Sequence, residues 1–261
     1  MHPPAPHNLS SGPTNPRVSV VIPSRFASTR FPGKPLVDIG GQTMIERVYR
    51  QSAAARGISG VVVATDDDRI VQAVRAFGGD VVMTSAAHES GTDRIAEVAR
   101  GLDADLIVNV QGDEPGLAPE AIEQAIAPLI DDPSILMGTL GAPLDEARDL
   151  ANPHVVKVLV DGHGFALYFS RAAVPFRRQE TALGTSVLQH VGLYVYRRTF
   201  LLELAALPRT PLEQSESLEQ LRALEHGYRI KVTHTRYRSV SVDTPEDLEH
   251  VRRLAADGRL T

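Results

Sequence analysis

Short unbroken apolar runs alternate with segments of helical period along the first half of this chain, and few folds accept that order. Residues 18–22 (VSVVI) are too short for a buried helix and are closed by Pro23, which predicts a central strand. Ile45, Val48, Tyr49 and Ala53 then recur at helical spacing. The unit repeats: residues 61–64 (VVVA) read as a second strand, and Ile70, Val71, Val74 and Phe77 line a helix stopped by Gly78-Gly79. Residues 80–83 and 106–110 predict further strands, with helices over 92–100 and 119–130, the latter opened by Pro119. Such alternation implies an α/β fold: a Rossmann-like, mostly parallel sheet covered by helices on both faces.

The second half changes character. Residues 155–160 and 165–170 flank Asp161-Gly-His-Gly164, a turn composition that predicts an antiparallel hairpin appended to the sheet. Strands are expected over 189–196, 230–234 and 240–243, and a charged amphipathic helix over 212–226. Thr244-Pro-Glu-Asp247 carries a helix start: Thr as N-cap, Pro at the first helical position, Asp as the capping-box acid. With no internal repeat or linker, residues 17–261 read as one domain. Residues 1–16 hold five prolines and no apolar run, so a disordered tail is expected, with neither signal peptide nor membrane anchor.

The formal net charge of -5 gives no general attraction for nucleic acid or an anionic membrane, so neither is an expected partner. Any phosphate recognition then falls to local clusters of Arg and Lys. The chain has no cysteine, which excludes disulfides, thiolate chemistry and sulfur-ligated zinc and fits a cytoplasmic protein.

One such cluster follows the first strand, where ligands bind in open α/β sheets. Ser24-Arg-Phe-Ala-Ser-Thr-Arg-Phe-Pro-Gly-Lys34 places Arg25, Arg30 and Lys34 within ten residues, with Gly33 permitting close backbone approach. Pro35 follows Gly33-Lys34 where a Walker loop needs Ser or Thr, and no dinucleotide-type glycine triplet is present. On composition alone the segment reads equally as a triphosphate cradle or as a solvated basic loop.

The run VVIPSRFASTRFPGKPLVDIGGQTMI (20–45) resembles the signature of the 3-deoxy-manno-octulosonate (Kdo) cytidylyltransferases. The resemblance continues through VVVATDDDRI (61–70), GTDRIAEVA (91–99), IVNVQGDEP (107–115), NPHVVKVLVDGHGFALYFSR (152–171), QHVGLYVY (189–196), LEQLRALEHGYRI (218–230) and VDTPEDLE (242–249). It spans nearly the whole chain beyond the N-terminal tail. Two positions depart from it: Ser24 stands where the family more often has Ala, and Gly116 where a larger apolar residue is usual.

The resemblance implies transfer of CMP from CTP to Kdo with release of pyrophosphate, for lipopolysaccharide synthesis. It implies Mg²⁺ held by Asp113 and Asp243, catalytic roles for Arg30 and Lys34, and triphosphate contacts from Arg25, Arg30 and Lys34. Ser24, Ser28, Gly91 and Gln111 are implied near the nucleoside or the reacting groups. Arg94, Gln111, Arg178, His190, Tyr194, Glu219 and Gln220 are implied as sugar ligands, and residues 151–200 as the dimerising part of a homodimer. Without the resemblance, Asp113 reads as a turn residue, Asp243 as a helix-capping neighbour, His190 as a structural histidine and Glu219-Gln220 as an exposed helix pair. A different acid sugar (sialic acid or an amino analogue of Kdo), a silent nucleotide-binding protein and a glycosyltransferase are the rival readings.

Overall fold

The computed structural model of the protein describes residues 16–27, 31–88, 90–179 and 186–260. The expected tail, apart from Pro16, lies outside them. The chain runs β1 (Val18–Ser24), a 3₁₀ turn (Lys34–Leu36), β2 (Asp38–Ile39), β3 (Gln42–Thr43), α1 (Met44–Ala54), β4 (Ile58–Thr65), α2 (Asp68–Ala76), β5 (Asp80–Met83), α3 (Gly91–Gly101), β6 (Leu106–Asn109) and α4 (Pro119–Asp131). It continues through β7 (Met137–Pro143), α5 (Glu146–Asp149), β8 (Lys157–Val160), β9 (Ala166–Ser170), β10 (Val187–Arg197), α6 (Arg198–Ala206), α7 (Pro211–Glu216), α8 (Leu221–Glu225), β11 (Ile230–His234) and α9 (Pro245–Ala256).

The main sheet has the order β11-β7-β10-β6-β1-β4-β5. Its strands run parallel except β10, which is antiparallel to both β6 and β7. Strand alternation divides the core between two faces. Val18, Val20 and Ile22 pack with Ile45 and Val48 of α1, Ile70 of α2 and Ile122 of α4. Val21 packs on the opposite face with Ile95 of α3 and Phe200 and Leu201 of α6. Helices therefore cover both sides, as the alternating pattern requires.

Strand β10 shapes the functional surface. One edge pairs with β7; the other is shared, Val187–Gln189 with β8 and Tyr194–Arg197 with β6. The expected hairpin, β8 with β9, is thus joined to the sheet through β10. Between its two partners β10 shifts register, and buried Thr139 steadies the irregularity by donating its hydroxyl to the carbonyls of Val191 (3.2 Å) and Leu193 (2.8 Å). Gly192 lies in this interval, and a Cβ there would sit 3.8 Å from Gln111 Cγ.

Two expectations are corrected, and one strand is additional to them. The helix over 212–226 is two short helices, because Ser217 adopts a left-handed conformation (φ 52°) that ends α7. Residues 240–243 form no strand; this segment is tied to the loop after β6 by the Val242 N–H donating to Asp113 O (3.0 Å) and then meets the Thr244 cap. Buried β7 has no counterpart in the sequence reading. Its MGTLGAP composition carries little β-propensity, yet a Cβ at Gly138 would lie 2.8 Å from Leu129 and one at Gly141 2.6 Å from Leu188.

At Gly116 the structure supplies a reason for the departure from the family. A Cβ there would lie 2.9 Å from Leu260 Cδ1, so Leu260 already fills that space. It belongs to a small cluster in which α9 packs on the β2–β3 hairpin through Ile39, Val242, Leu248 and Val251.

Candidate active site

The site forms at the carboxyl ends of β1 and β6, where the chain leaves the sheet. Gly33 takes a left-handed φ of 75° and its N–H donates to Phe26 O (3.0 Å), tying the end of the basic segment to its beginning. Lys34 then opens the 3₁₀ turn and reaches across the sheet end. Its Nζ donates to Asp113 Oδ2 at 2.7 Å, to Val242 O at 2.8 Å and to Asp243 Oδ1 at 3.4 Å. The fork forms because the Val242–Asp113 backbone bond holds the two aspartate-bearing segments side by side. The capping box of α9 fixes the second: Asp247 Oδ2 accepts from the N–H groups of Asp243 (3.0 Å) and Thr244 (2.9 Å).

Glu114 plays a different part from its neighbour. It is buried and accepts from the Tyr237 hydroxyl at 2.9 Å. Burial pushes its carboxyl up to about 7, against a hydrogen bond from Ser239 and with help from the charge of Asp113. Tyr237 is pushed above its ordinary range by burial and by Glu114.

Two clefts meet here. The first, about 270 Å³, is lined by Ser24, Arg25, Lys34, Gly91, Arg94, Gln111 and Asp113, among others. Arg25 is steadied by donating to the His88 carbonyl. Ser24 Oγ is buried here with no hydrogen-bond partner, which marks a surface shaped for a polar ligand. Ser28 and Arg30 lie outside the described residues.

The second cleft, about 340 Å³, occupies the interval between β6 and β8 along β10. Its lining includes Asn109, Gln111, Arg171, Tyr194, Glu219 and Gln220, and it shares Gly91 and Gln111 with the first. Gly91 opens α3, whose N-cap Ser90 accepts from the Asp93 N–H (3.1 Å). The positive end of an 11-residue helix is therefore presented at the junction. Glu219 Oε2 accepts from the Thr92 hydroxyl (2.5 Å), and Gln220 Nε2 is buried without a hydrogen-bond partner.

The structure separates three of the residues grouped by the sequence reading. Arg94 is fully buried, donates to Asp66 Oδ2 (2.6 Å) and Thr84 Oγ1 (2.5 Å), and lines the first cleft instead of the second. His190 packs between the Phe169 and Tyr194 rings, with Nε2 3.0 Å from Thr139 Oγ1. Desolvation pushes it down to about 3, so the ring is neutral and sits behind Tyr194. Arg178 is exposed and is not among the described residues lining either cleft.

Comparisons with known proteins point to one family. The cytidylyltransferase family pattern matches residues 19–230. The chain is 56% identical to the 3-deoxy-manno-octulosonate cytidylyltransferase of Geobacter sulfurreducens, over 90% of this chain and 97% of that protein. The chain belongs to the 3-deoxy-manno-octulosonate cytidylyltransferase family. A second member, from Solibacter usitatus, is 53% identical over 90% of this chain and 92% of that protein. A solved structure of CMP:2-keto-3-deoxy-manno-octonic acid synthetase complexed with CTP superposes with a TM-score of 0.88. It shares 44% identity and is covered over 93% of this chain and 99% of that one.

Within the cytidylyltransferase frame, Asn109, Thr92, Arg171 and Ser217 also line the second cleft, beyond the sugar ligands that the resemblance implies. Arg171 closes the motif run 152–171, but nothing local distinguishes it. What fixes it is distant: its N–H and Nε donate to Glu216 Oε2 and O, each at 2.9 Å.

Proposed function

We propose that the chain transfers CMP from CTP to the anomeric hydroxyl of Kdo, giving CMP-Kdo and pyrophosphate. The observation that carries this reading is the meeting of the two clefts at Gly91 and Gln111, with Lys34 and Asp113 on the first. A triphosphate in the first cleft and a polyhydroxylated acid in the second bring the hydroxyl and the α-phosphorus to that junction. The new O–P bond forms as the α–β phosphoanhydride bond breaks, pyrophosphate leaves, and the hydroxyl proton passes to solvent. No covalent intermediate on the protein is needed, so catalysis is alignment and charge stabilisation.

In this reading Arg25 and Lys34 bind the phosphates, and Arg30 joins them. Ser24, Ser28, Gly91 and Gln111 contact the nucleoside or the reacting groups, while Tyr194, Glu219 and Gln220 hold the sugar. Arg94 and His190 support the two walls from beneath. Asp113 and Asp243 fit a Mg²⁺ site because both carboxylates reach the same ammonium group. Phosphate oxygens and waters would complete such a site. When bound, the ion supplies neutralisation of the triphosphate charge.

The same reading makes the chain a cytoplasmic homodimer that supplies lipopolysaccharide synthesis. Leu167 and Phe176, 62% and 90% exposed, support a contact between copies through residues 151–200. The cysteine-free composition supports the location. Among the described residues no helix is long and apolar enough to cross a membrane.

The test is pyrophosphate release by the purified chain with CTP, Mg²⁺ and a panel of acid sugars. Kdo is expected to be the preferred acceptor. No release with Kdo would overturn the reading, and faster release with sialic acid or an amino analogue would redirect it.

A further inference from the structure

The wall of the second cleft formed by Ser217, Leu218, Glu219 and Gln220 is clamped by an ion pair that lies outside the cleft lining. Arg222 Nε donates to Glu213 Oε2 at 2.9 Å and its Nη2 to Glu213 Oε1 at 2.6 Å. The two residues are 3% and 1% exposed. Glu213 sits in the first turn of α7, where its carboxylate also accepts from the Thr210 N–H (3.2 Å). Arg222 sits at the start of α8. The pair therefore joins the helices on either side of the four wall residues.

Between those anchors the backbone makes a tight, hydrogen-bonded turn. Leu218 N donates to Glu213 O, Leu221 N to Leu218 O and Arg222 N to Glu219 O, each at 3.1 Å, with Ser217 in its left-handed conformation between them. Such a turn sets where the Glu219 and Gln220 side chains stand. Glu219 also receives the Thr92 hydroxyl at the mouth of α3 (2.5 Å), so a shift in the turn moves a contact at the cleft junction.

A buried ion pair is a weak source of net stability, because the cost of removing both charges from water offsets their attraction. What the two-point guanidinium–carboxylate fork supplies is orientation. We propose that Glu213 and Arg222 are positioning residues for the acceptor: they hold the 217–220 turn so that Glu219 and Gln220 meet a polyhydroxylated acid, without touching it. The proposal rests on the acceptor-cleft reading above.

The experiment is a kinetic split in the double variant Glu213→Leu/Arg222→Met, which removes both members of the fork together, while the Thr210 N–H and the exposed Arg209 also lose Glu213. Its circular dichroism is expected to match the parent, with the KM for Kdo raised about tenfold and kcat and the KM for CTP within twofold. A Kdo KM within twofold of the parent would overturn the proposal. So would equal losses in the CTP KM, which indicate general damage. If the double variant does not fold, Arg222→Lys serves in its place, keeping the charge but not the fork. A several-fold rise in the Kdo KM alone is expected there, and parental values would overturn the proposal. A parent inert toward Kdo would overturn the functional reading and the positioning role with it, whereas an active parent with an unaffected variant removes the positioning role alone.

Discussion

Lys34 Nζ donates to Asp113 Oδ2 at 2.7 Å although 79 residues separate them in the chain. The same ammonium reaches Asp243 and the Val242 carbonyl, so one cation bridges two carboxylates and offsets part of their mutual repulsion. A triphosphate entering the first cleft competes for that cation. Lys34→Met is expected to lower kcat/KM for CTP by roughly 100-fold, the scale of removing one electrostatic stabiliser. Steady-state pyrophosphate release measures it, and a change below threefold would remove Lys34 from the reaction.

Asp113→Asn and Asp243→Asn each keep side-chain size and remove one charge. Both are expected to fold and to lose Mg²⁺-dependent turnover by roughly 100-fold or more. Titrating Mg²⁺ against rate, with circular dichroism alongside, separates loss of the ion site from loss of fold. Full activity in either variant takes that residue out of the metal site.

Gln220 has a buried amide nitrogen without a hydrogen-bond partner. A sugar hydroxyl is the group expected to satisfy it. Gln220→Ala should raise the KM for Kdo by about tenfold, the equivalent of one hydrogen bond of ~1.4 kcal/mol, and leave the KM for CTP unchanged. An equal effect on both substrates would contradict the assignment of the second cleft to the acceptor.

His190 titrates at about 3 in the folded chain against an ordinary 6.5, because burial disfavours the imidazolium. Between those values the unfolded state binds the proton and the folded state does not, so stability rises with pH across that window. The contribution is complete above 6.5 and is lost as pH falls toward 3. Urea melts at pH 7 and pH 5 should show His190→Gln losing less stability between the two than the parent. Parallel losses would show that the ring does not titrate in this window.

Gly116 and Leu260 compete for one space, since a Cβ on residue 116 would lie only 2.9 Å from Leu260 Cδ1. Gly116→Leu, the larger apolar choice of the family, is expected to cost about 1–3 kcal/mol by overpacking. Adding Leu260→Ala should recover much of that. A thermal-denaturation cycle over the four proteins checks the coupling, and additive effects would sink it.

The first half of the fold was legible because its central strands β1 and β6 are buried on both faces and its helices are amphipathic, and each of those environments writes a distinct periodicity. The Thr244 capping box was equally legible, since its hydrogen bonds join residues three apart. β7 was not. Its glycines are selected by the nearness of Leu129 and Leu188 from other elements, and that nearness leaves no local pattern. The single helix expected over 212–226 failed for a related reason: the buried Glu213–Arg222 pair and the left-handed Ser217 hold a turn that helical periodicity does not reveal.

The site divides in the same way. The amino-acid sequence by itself determined the residue types available, a basic glycine-bearing loop after the first strand and carboxylates after later ones, because loop position and side-chain charge are local properties. Only the tertiary structure decided which of them meet. It brought Lys34 to Asp113 and Asp243, withdrew Arg94 into an ion pair with Asp66, and set His190 behind Tyr194. Those outcomes depend on strand register, on where β10 changes partners and on the desolvation of each charge, and these are properties of packed neighbours far apart in the chain.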